Sequence, residues 1–375
     1  MATHPQHLVL IGGGHAHALL LSQWVKWPVP GVTVTLIDTN ETAPYTGMLP
    51  GYIAGHYAAS ELMIDLRALT KKAGATFIAS KVVAFQASTR TLTCANGTKL
   101  QYNIASFDIG IHSQLTMIPG QAEHTVAAKP LHAYATQWQK FITALKKQEM
   151  TTPITVVGGG VAGVELALSM RHRARREGIN STPVQIIEAK EVLPGVSPRA
   201  KAILRRELAR QNITLYENSL VSRFTNDGVE LVDGRTLSSS FTVAAAGARP
   251  YAWLTETDLS LQAGYITVGA TLQTTEYPNV FAVGDCAQFV PRPLPKAGVY
   301  AVRQAPVLYK NIRALVAGES LQSFQPQASY LKLISLGGKR ALADKYRWPI
   351  VGRLVWYVKN HIDRSFMRQF NSDSL

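Results

Sequence analysis

Two glycine triplets, each set between an apolar β-branched run and a helical pattern, constrain this chain most: LVLIGGGHAH at residues 8–17 and ITVVGGGVAG at 154–163. A strand that reverses into a helix within a few residues needs backbone angles that glycine adopts without strain. The helix N-terminus it opens presents free amides to a pyrophosphate. Each turn is followed by a second apolar strand ending in an acid: Asp38 closes VTVTLID, 26 residues after Gly12, and Glu188 closes PVQIIE, 30 residues after Gly158. A carboxylate there accepts hydrogen bonds from a ribose. Two complete strand, turn, helix, strand, acid units predict an α/β fold with two Rossmann-like dinucleotide-binding domains, suited to passing electrons between two bound dinucleotides.

The units are not identical. Gly158, Gly160 and Gly163 complete the second pattern, whereas the first keeps Gly12 and Gly14 but has His17 where a third glycine packs helix on strand. A side chain there predicts a slightly opened first helix or an imidazole turned outward. His15 falls beside the phosphate position. Both histidines also read as polar residues of a helix start, and no metal site is expected, because residues two apart do not share a helix face.

At 375 residues with 46% hydrophobic content, the chain is long enough for roughly two or three domains with sizeable cores. No apolar run approaches a membrane span, and MATHPQHLVL enters a strand without a signal-peptide pattern, so a cytoplasmic protein is expected. The net charge of +14 calls for an anionic partner: lipid, nucleotide or nucleic acid. RHRARREG, residues 171–178, lacks the aromatics of a nucleic-acid surface and reads as a solvated helix end, so nucleic acid is not expected. Cys94 and Cys286 stand 192 residues apart and outside any CxxC or CxxxxC pair. That disfavours a dithiol relay, and Cys286 reads as a small buried residue.

Further markers are YNIASFDIG (102–110), its counterpart FTVAAAGARP (241–250), and TTEYPNVFAVGDCA (274–287), which reads as turn, strand and GD at a helix start. With VLIGGG, Asp38 and GGGVAGVE, they resemble the FAD/NAD(P)-binding pyridine nucleotide-disulfide oxidoreductase superfamily over about residues 7–320. The cysteine-free layout is similar to type II NADH:quinone oxidoreductases. PYTGMLPGYIAGHY, MIDLR, KAGVYAVRQAPVLYKNIRA and WYVKNHIDRSFMRQF resemble the branch found fused to selenophosphate synthetase.

The resemblance implies that Gly12, Gly14 and Asp38 hold the FAD pyrophosphate and adenosine ribose, with His15 near the phosphates, and that Asp285 grips the ribityl chain. A helix from Lys296 would aim its amides at the flavin's pyrimidine edge, where reduction builds negative charge. Thr46, Gly47 and Leu49 would line the other flank, and Gly110 and Ala301 complete the FAD site. Gly158, Gly160, Gly163 and Gly247 would hold the nicotinamide dinucleotide, with Glu165, the one catalytic candidate, orienting the nicotinamide. Glu188 favours NADH by repelling a 2′-phosphate, although Lys190, Arg175 and Arg176 are near in sequence and leave NADPH open. Lys129 and Lys296 are lone basic residues that read as flavin contacts or as surface lysines. Where type II quinone reductases carry AQxAxQ, this chain has GVYAVR (298–303), keeping only Ala301, with Gln304 next.

Near the C-terminus, Val351, Leu354, Val355, Val358, Ile362 and Phe366 recur at helical spacing, opposite Arg353, Arg364 and Arg368. Residues 345–370 hold six Lys or Arg and one Asp, with Trp348, Trp356 and Tyr357 at the edges of the stripe. Such a helix suits a membrane surface, or packs on the flavin domain with its basic face solvated. Because the GD strand must return to the first sheet, the FAD domain is expected to be discontinuous, residues 1–120 and 266–325. Residues 121–265 would form the NAD(P)H domain and 326–375 a small C-terminal region. The reading is an FAD-dependent NAD(P)H dehydrogenase, monomer or homodimer, passing electrons from NADH through flavin to a quinone at the inner face of a membrane. A soluble reductase linked to selenium metabolism and an FAD-binding redox sensor or scaffold without turnover are the alternatives.

Overall fold

The computed structural model describes residues 5–113, 118–128, 131–147, 153–179, 182–345 and 348–370; Lys129 lies outside them. Each glycine triplet ends the central strand of a five-stranded parallel sheet. In the first, Gln6–Ile11 pairs on one side with Val32–Asp38, then Thr76–Ala79, and on the other with Ile104–Phe107, then Val280–Ala282. In the second, Ile154–Val157 pairs with Val184–Ile187, then Ile213–Tyr216, and on the other side with Phe241–Ala244, then Val126–Ala127. The central strands are unbroken apolar runs, as in parallel sheets covered on both faces, and Leu8, Leu10, Ile154 and Val156 are wholly buried. Each unit also carries a three-stranded antiparallel meander: Val82–Gln86, Thr91–Cys94 and Lys99–Gln101 in the first, Val221–Thr225, Gly228–Leu231 and Thr236–Ser238 in the second. The fold is α/β with two Rossmann-like units in which four strands match in order, while the fifth is supplied by the returning chain in the first and from ahead of the glycine turn in the second.

His112–Ser113 and Ala248–Arg249 pair antiparallel where the chain passes between the units. Asp258 then accepts the amides of Ala87 and Ser88 at 2.7 and 2.9 Å, fastening the returning segment to the first unit before Val280–Ala282 rejoins its sheet. The GD pair opens only a short 3-10 turn, Gly284–Cys286, where a helix start was expected. That helix, Gly298–Ala317, also starts later than Lys296. The cause is PRPLP, whose three prolines supply no amide hydrogens and keep residues 291–295 out of any helix.

Nor is RHRARREG simply a solvated helix end. Arg171 is buried, donating from Nε to the Gln211 carbonyl at 3.1 Å and from Nη1 to the Thr182 carbonyl at 3.0 Å. Arg173 pairs with Glu177 at 2.6 Å, and Arg176 reaches the Gly55 carbonyl at 2.7 Å in the first unit. Arg171 and Arg176 are thus struts between elements, while Arg173 closes the end of its own helix.

The C-terminal region is a three-stranded antiparallel sheet, Lys332–Ser335, Ala341–Asp344 and Ile350–Gly352, followed by the helix Arg353–Arg368. It spans both units. Asp344 accepts the Ser197 amide and hydroxyl at 3.1 and 2.7 Å in the second; Tyr57 donates to Asn360 at 2.8 Å, and Arg364 pairs with Glu61 at 2.7 Å, in the first. Among the described residues no helix is long and apolar enough to cross a membrane.

Candidate functional site

The two turns have one geometry. Gly12 and Gly158 take left-handed φ values of +89° and +118°, and a Cβ on them would lie 2.5 Å from the Asp108 carbonyl and 2.7 Å from the Ala246 amide. The strand-ending acids fasten the loops identically. Asp38 accepts the amides of Gly13 at 2.6 Å and Asn40 at 2.8 Å; Glu188 accepts those of Gly159 at 2.7 Å and Lys190 at 3.0 Å. Each half-buried carboxylate is thereby held at the mouth of its turn by charge-assisted hydrogen bonds.

At the first turn one cavity brings together Gly14, His15, Asp38, Thr46, Gly110, Asp285, Lys296 and Ala301. Gly12 lies beneath it, packed on Asp108. Leu49 is placed otherwise, buried in the core at the start of the short helix Leu49–Ile53. Lys296 donates to the Ala287 carbonyl at 2.6 Å and sits 3.9 Å over the Tyr265 ring, and burial lowers its pKa. The N-terminus of Gly298–Ala317 opens on the same cavity, and Gln304, buried, accepts the Gly284 amide at 2.7 Å, tying that helix to the GD turn. A glycine cradle, acids from two separate segments and a helix N-terminus along one cavity fit an FAD.

His17 corrects the sequence reading. Its ring is turned inward and wholly buried: Nδ1 donates to the Gly12 carbonyl at 2.7 Å and Nε2 accepts the Ser106 hydroxyl at 2.8 Å. Burial pulls its pKa down to about 4, so the ring is neutral, with the proton on Nδ1. Asp108, absent from the sequence-based site, ends the strand beside the turn. It is buried, and its Oδ2 accepts the amides of Ala16 at 2.8 Å and His17 at 3.1 Å. Burial pushes it up to about 7 against those two bonds, with Asp285 and Asp38 adding repulsion. A polar residue inside the apolar run YNIASFDIG was the sequence signal for Ser106 and Asp108.

At the second turn Gly160 caps the helix Val161–Arg176, with open space around its missing Cβ, and Gly163 packs so tightly that a Cβ would overlap the Gly158 carbonyl. Gly247, exposed at φ +75°, follows the neighbouring strand. Arg175 and Arg176 sit in the last turn of this helix, about 20 Å from its start, and bond to Gln211 and Gly55, so neither faces Glu188.

Glu165, on the same helix, faces the C-terminal region. It accepts the Ser335 amide at 2.6 Å, and burial raises it to about 7 while the Lys359 charge pulls it back. Lys359 donates to the Gly47 carbonyl at 2.7 Å and pairs with Asp363 at 2.7 Å; Asp363 in turn accepts the Tyr45 hydroxyl at 3.2 Å. Tyr45 stacks on Phe366, 4.3 Å between centroids, and His15 meets both rings edge-on. Lys359 of the C-terminal helix thus holds the Gly47 flank of the first unit, and its charge also acts on Glu165 of the second.

This docking turns the helix inside out. Trp356, Asp363, Phe366 and Met367 are its buried residues, whereas Leu354, Val358 and Ile362 of the expected stripe are 80%, 52% and 45% exposed. Phe366 therefore parts company with them. Trp348, Ile350 and Tyr357 extend the exposed apolar surface beside Arg353 and Arg368.

Cys94 and Cys286 are both free and buried. Burial pushes the Cys286 thiol up to about 12, and it donates to the Val283 carbonyl, which leaves it chemically inert.

Residues 6–305 match the pyridine nucleotide-disulphide oxidoreductase family model. The chain is 23% identical over 392 residues to a type II NADH:quinone oxidoreductase of Staphylococcus aureus, covering 97% of this chain and 95% of that protein. Among solved structures it resembles NDH2 from Plasmodium falciparum in complex with NADH, with a TM-score of 0.86 at 15% identity over 98% of both chains. It also resembles the sulfide:quinone oxidoreductase of Aquifex aeolicus, with a TM-score of 0.82 at 20% identity over 97% of this chain and 91% of that one.

Proposed function

Because the chain belongs to the pyridine nucleotide-disulphide oxidoreductase family, we propose that it is an NADH dehydrogenase that passes electrons from NADH through FAD to a quinone. FAD and NAD(H) are its cofactors. Bound FAD supplies the hydride and electron chemistry, and the protein supplies position and electrostatics. Asp38 and Glu188 receive the two riboses, and the amides at Gly298 face charge that builds on the flavin. Glu188 and the remote Arg175 and Arg176 favour NADH over its 2′-phosphorylated form.

The observation that carries this reading is the position of Lys359, bonded to the Gly47 carbonyl and Asp363 with its charge acting on Glu165. One cation thereby serves both Glu165, two residues past the second glycine turn, and the Gly47 flank beside the first, which is where a nicotinamide and a flavin would meet for transfer. Glu165, held near pH 7 in its titration, can orient the carboxamide and hold or release a proton there. Rapid anaerobic mixing with NADH tests the reductive half: bleaching of the flavin is expected, slower with NADPH, and a flavin left oxidised by both ends the proposal. Reoxidation by quinones, ferricyanide, oxygen and selenium compounds then ranks acceptors, with quinones expected first.

The acceptor reading draws support from the outward apolar face of the C-terminal helix. An exposed Leu354, Val358 and Ile362 ridge beside Arg353 and Arg368 suits the boundary of an anionic bilayer, where each nearby cation adds roughly 1 kcal/mol of attraction. Flotation with anionic liposomes should carry the intact protein and not the Leu354→Glu, Val358→Glu variant. Equal flotation of both removes the helix from the proposal.

A further inference from the structure

Asp108 is the one buried carboxylate on the first cavity that no ribose or ribityl role accounts for. Its Oδ2 caps the amides of Ala16 and His17, the donors that a helix N-terminus offers to an anion. Its Oδ1 lies against Gly14 and Gly284, so close that a Cβ on Gly284 would sit 2.7 Å away. Asp38 and Asp285 face the same cavity, which puts three carboxylates where a diphosphate must enter. The one lysine on the cavity wall balances them only in part, its charge acting on Asp285. Lys296 is turned onto the Ala287 carbonyl and the Tyr265 ring. His15, His112 and Tyr251 complete the titratable groups on the cavity wall, and His17, behind Asp108, is neutral and already bonded at both nitrogens.

A carboxylate at 4% exposure beside two others and a diphosphate is a like-charge cluster in a medium that screens poorly. Removing Asp108 from the cluster is not open to the chain, because its two amide bonds anchor the first turn of the helix. Neutralising it is. A protonated Asp108 keeps Oδ2 as the acceptor of both amides and turns Oδ1, which lies against the cavity-lining Gly14, into a donor.

We propose that Asp108 takes up one proton from solvent when FAD binds, and that it faces the cofactor's diphosphate as a neutral hydrogen-bond donor instead of an anion. FAD affinity is then proton-linked. The inference rests on FAD as the occupant of the first cavity. The balance is simple: apoprotein carboxylate, FAD and one proton give the complex with Asp108 as the carboxylic acid, and no bond to the cofactor forms or breaks. Burial already raises this group in the cofactor-free protein to about 7, so the linkage acts at and above neutrality. Below that pH, Asp108 is protonated before FAD arrives and nothing more is taken up.

Two measurements test it. Flavin release from the holoprotein, followed by fluorescence between about pH 6 and about pH 9, should show FAD weakening by up to about tenfold per unit above neutrality and constant below. Calorimetric titration of the flavin-stripped protein in two buffers of different ionisation enthalpy should count most of one proton taken up per FAD on the alkaline side, and almost none on the acid side. Asp108→Asn, which keeps an acceptor and a donor, should bind FAD with no proton count and little pH dependence. His15→Gln and His112→Gln should keep the wild-type count. Zero uptake by the wild type overturns the proposal without recourse to any variant. Uptake that survives in Asp108→Asn, or disappears in a histidine variant, overturns it too. A protein that binds no FAD at any pH defeats the assignment of the cavity, a different failure.

Discussion

Five residues into each glycine turn the first unit has His17 and the second Gly163. The strand alongside has Ser106 and Asp108 in the first, where the second has Val243 and Ala245. The backbone around these pairs is the same: Asp108 donates its amide to Ile11 at 2.9 Å, and Ala245 to Val157 at 2.8 Å. What differs is how helix is joined to strand. The second unit uses contact, with Gly163 resting on the Gly158 carbonyl. The first replaces contact by a chain of hydrogen bonds from Gly12 through the His17 ring to Ser106, and by Asp108 on the helix amides. Polar groups buried this way are tolerated because each is satisfied, so the first unit is vulnerable to losing a partner and the second to gaining volume.

The largest effect should come from Gly163→Ala. Its Cβ meets a backbone oxygen that cannot move aside, and a loss of about 3 kcal/mol is expected, with NADH bleaching abolished while FAD remains bound. Thermal melts and rapid mixing on one sample would show it, and retained bleaching would mean the second turn is not the NADH site. His17→Gly, which gives the first unit the second's residue, should also destabilise, by about 2–3 kcal/mol, because it opens a cavity and leaves Ser106 and the Gly12 carbonyl without partners. If glycine at 17 proves neutral, the two junctions are interchangeable and the comparison fails.

Much of this was legible in the chain. Paired triplets, apolar strands and terminal acids specify a repeated local device, and Asp38 and Glu188 fall where spacing places them. The direction of His17 was not legible, because it depends on Ser106, 89 residues away, and a polar residue in a buried strand announces no partner. Asp108 was hidden for the same reason. The C-terminal helix misled differently. Hydrophobic periodicity finds a stripe but not what the stripe faces, and here Lys359 and Asp363 find half-buried partners in Gly47 and Tyr45 and draw the helix down by its polar side.

A double change sharpens the comparison further. Adding Ser106→Val to His17→Gly removes the hydroxyl that the single variant strands, and so brings the first junction closer to the second. The pair should recover about 1 kcal/mol relative to His17→Gly alone, a coupling that denaturant titration of the four proteins would read. Strict additivity would mean that Ser106 and the His17 ring stabilise independently.

The smallest net effect is in the wild type's own pH dependence of stability, where the polar junction carries two opposed titrations that largely cancel. His17 falls from 6.5 to about 4 on folding, so the unfolded chain takes up a proton that the folded one refuses, and stability is lost as pH drops from 6.5 through 4. Asp108 rises from 3.8 to about 7, so the folded chain holds a proton that the unfolded one gives up, and stability is lost as pH climbs from 3.8 through 7. In the shared window the two slopes oppose each other. Asp108→Asn should therefore expose the His17 slope: relative to the wild type, the flavin-stripped variant's melting temperature should fall more steeply on acidification from 6.5 to 4. Glu165, raised from 4.5 to about 7, slopes in the same sense as Asp108 but is common to both proteins and cancels in the difference. Parallel curves for the two proteins would mean that Asp108 is ionised as readily in the fold as out of it, and the first junction would then be polar without being proton-linked.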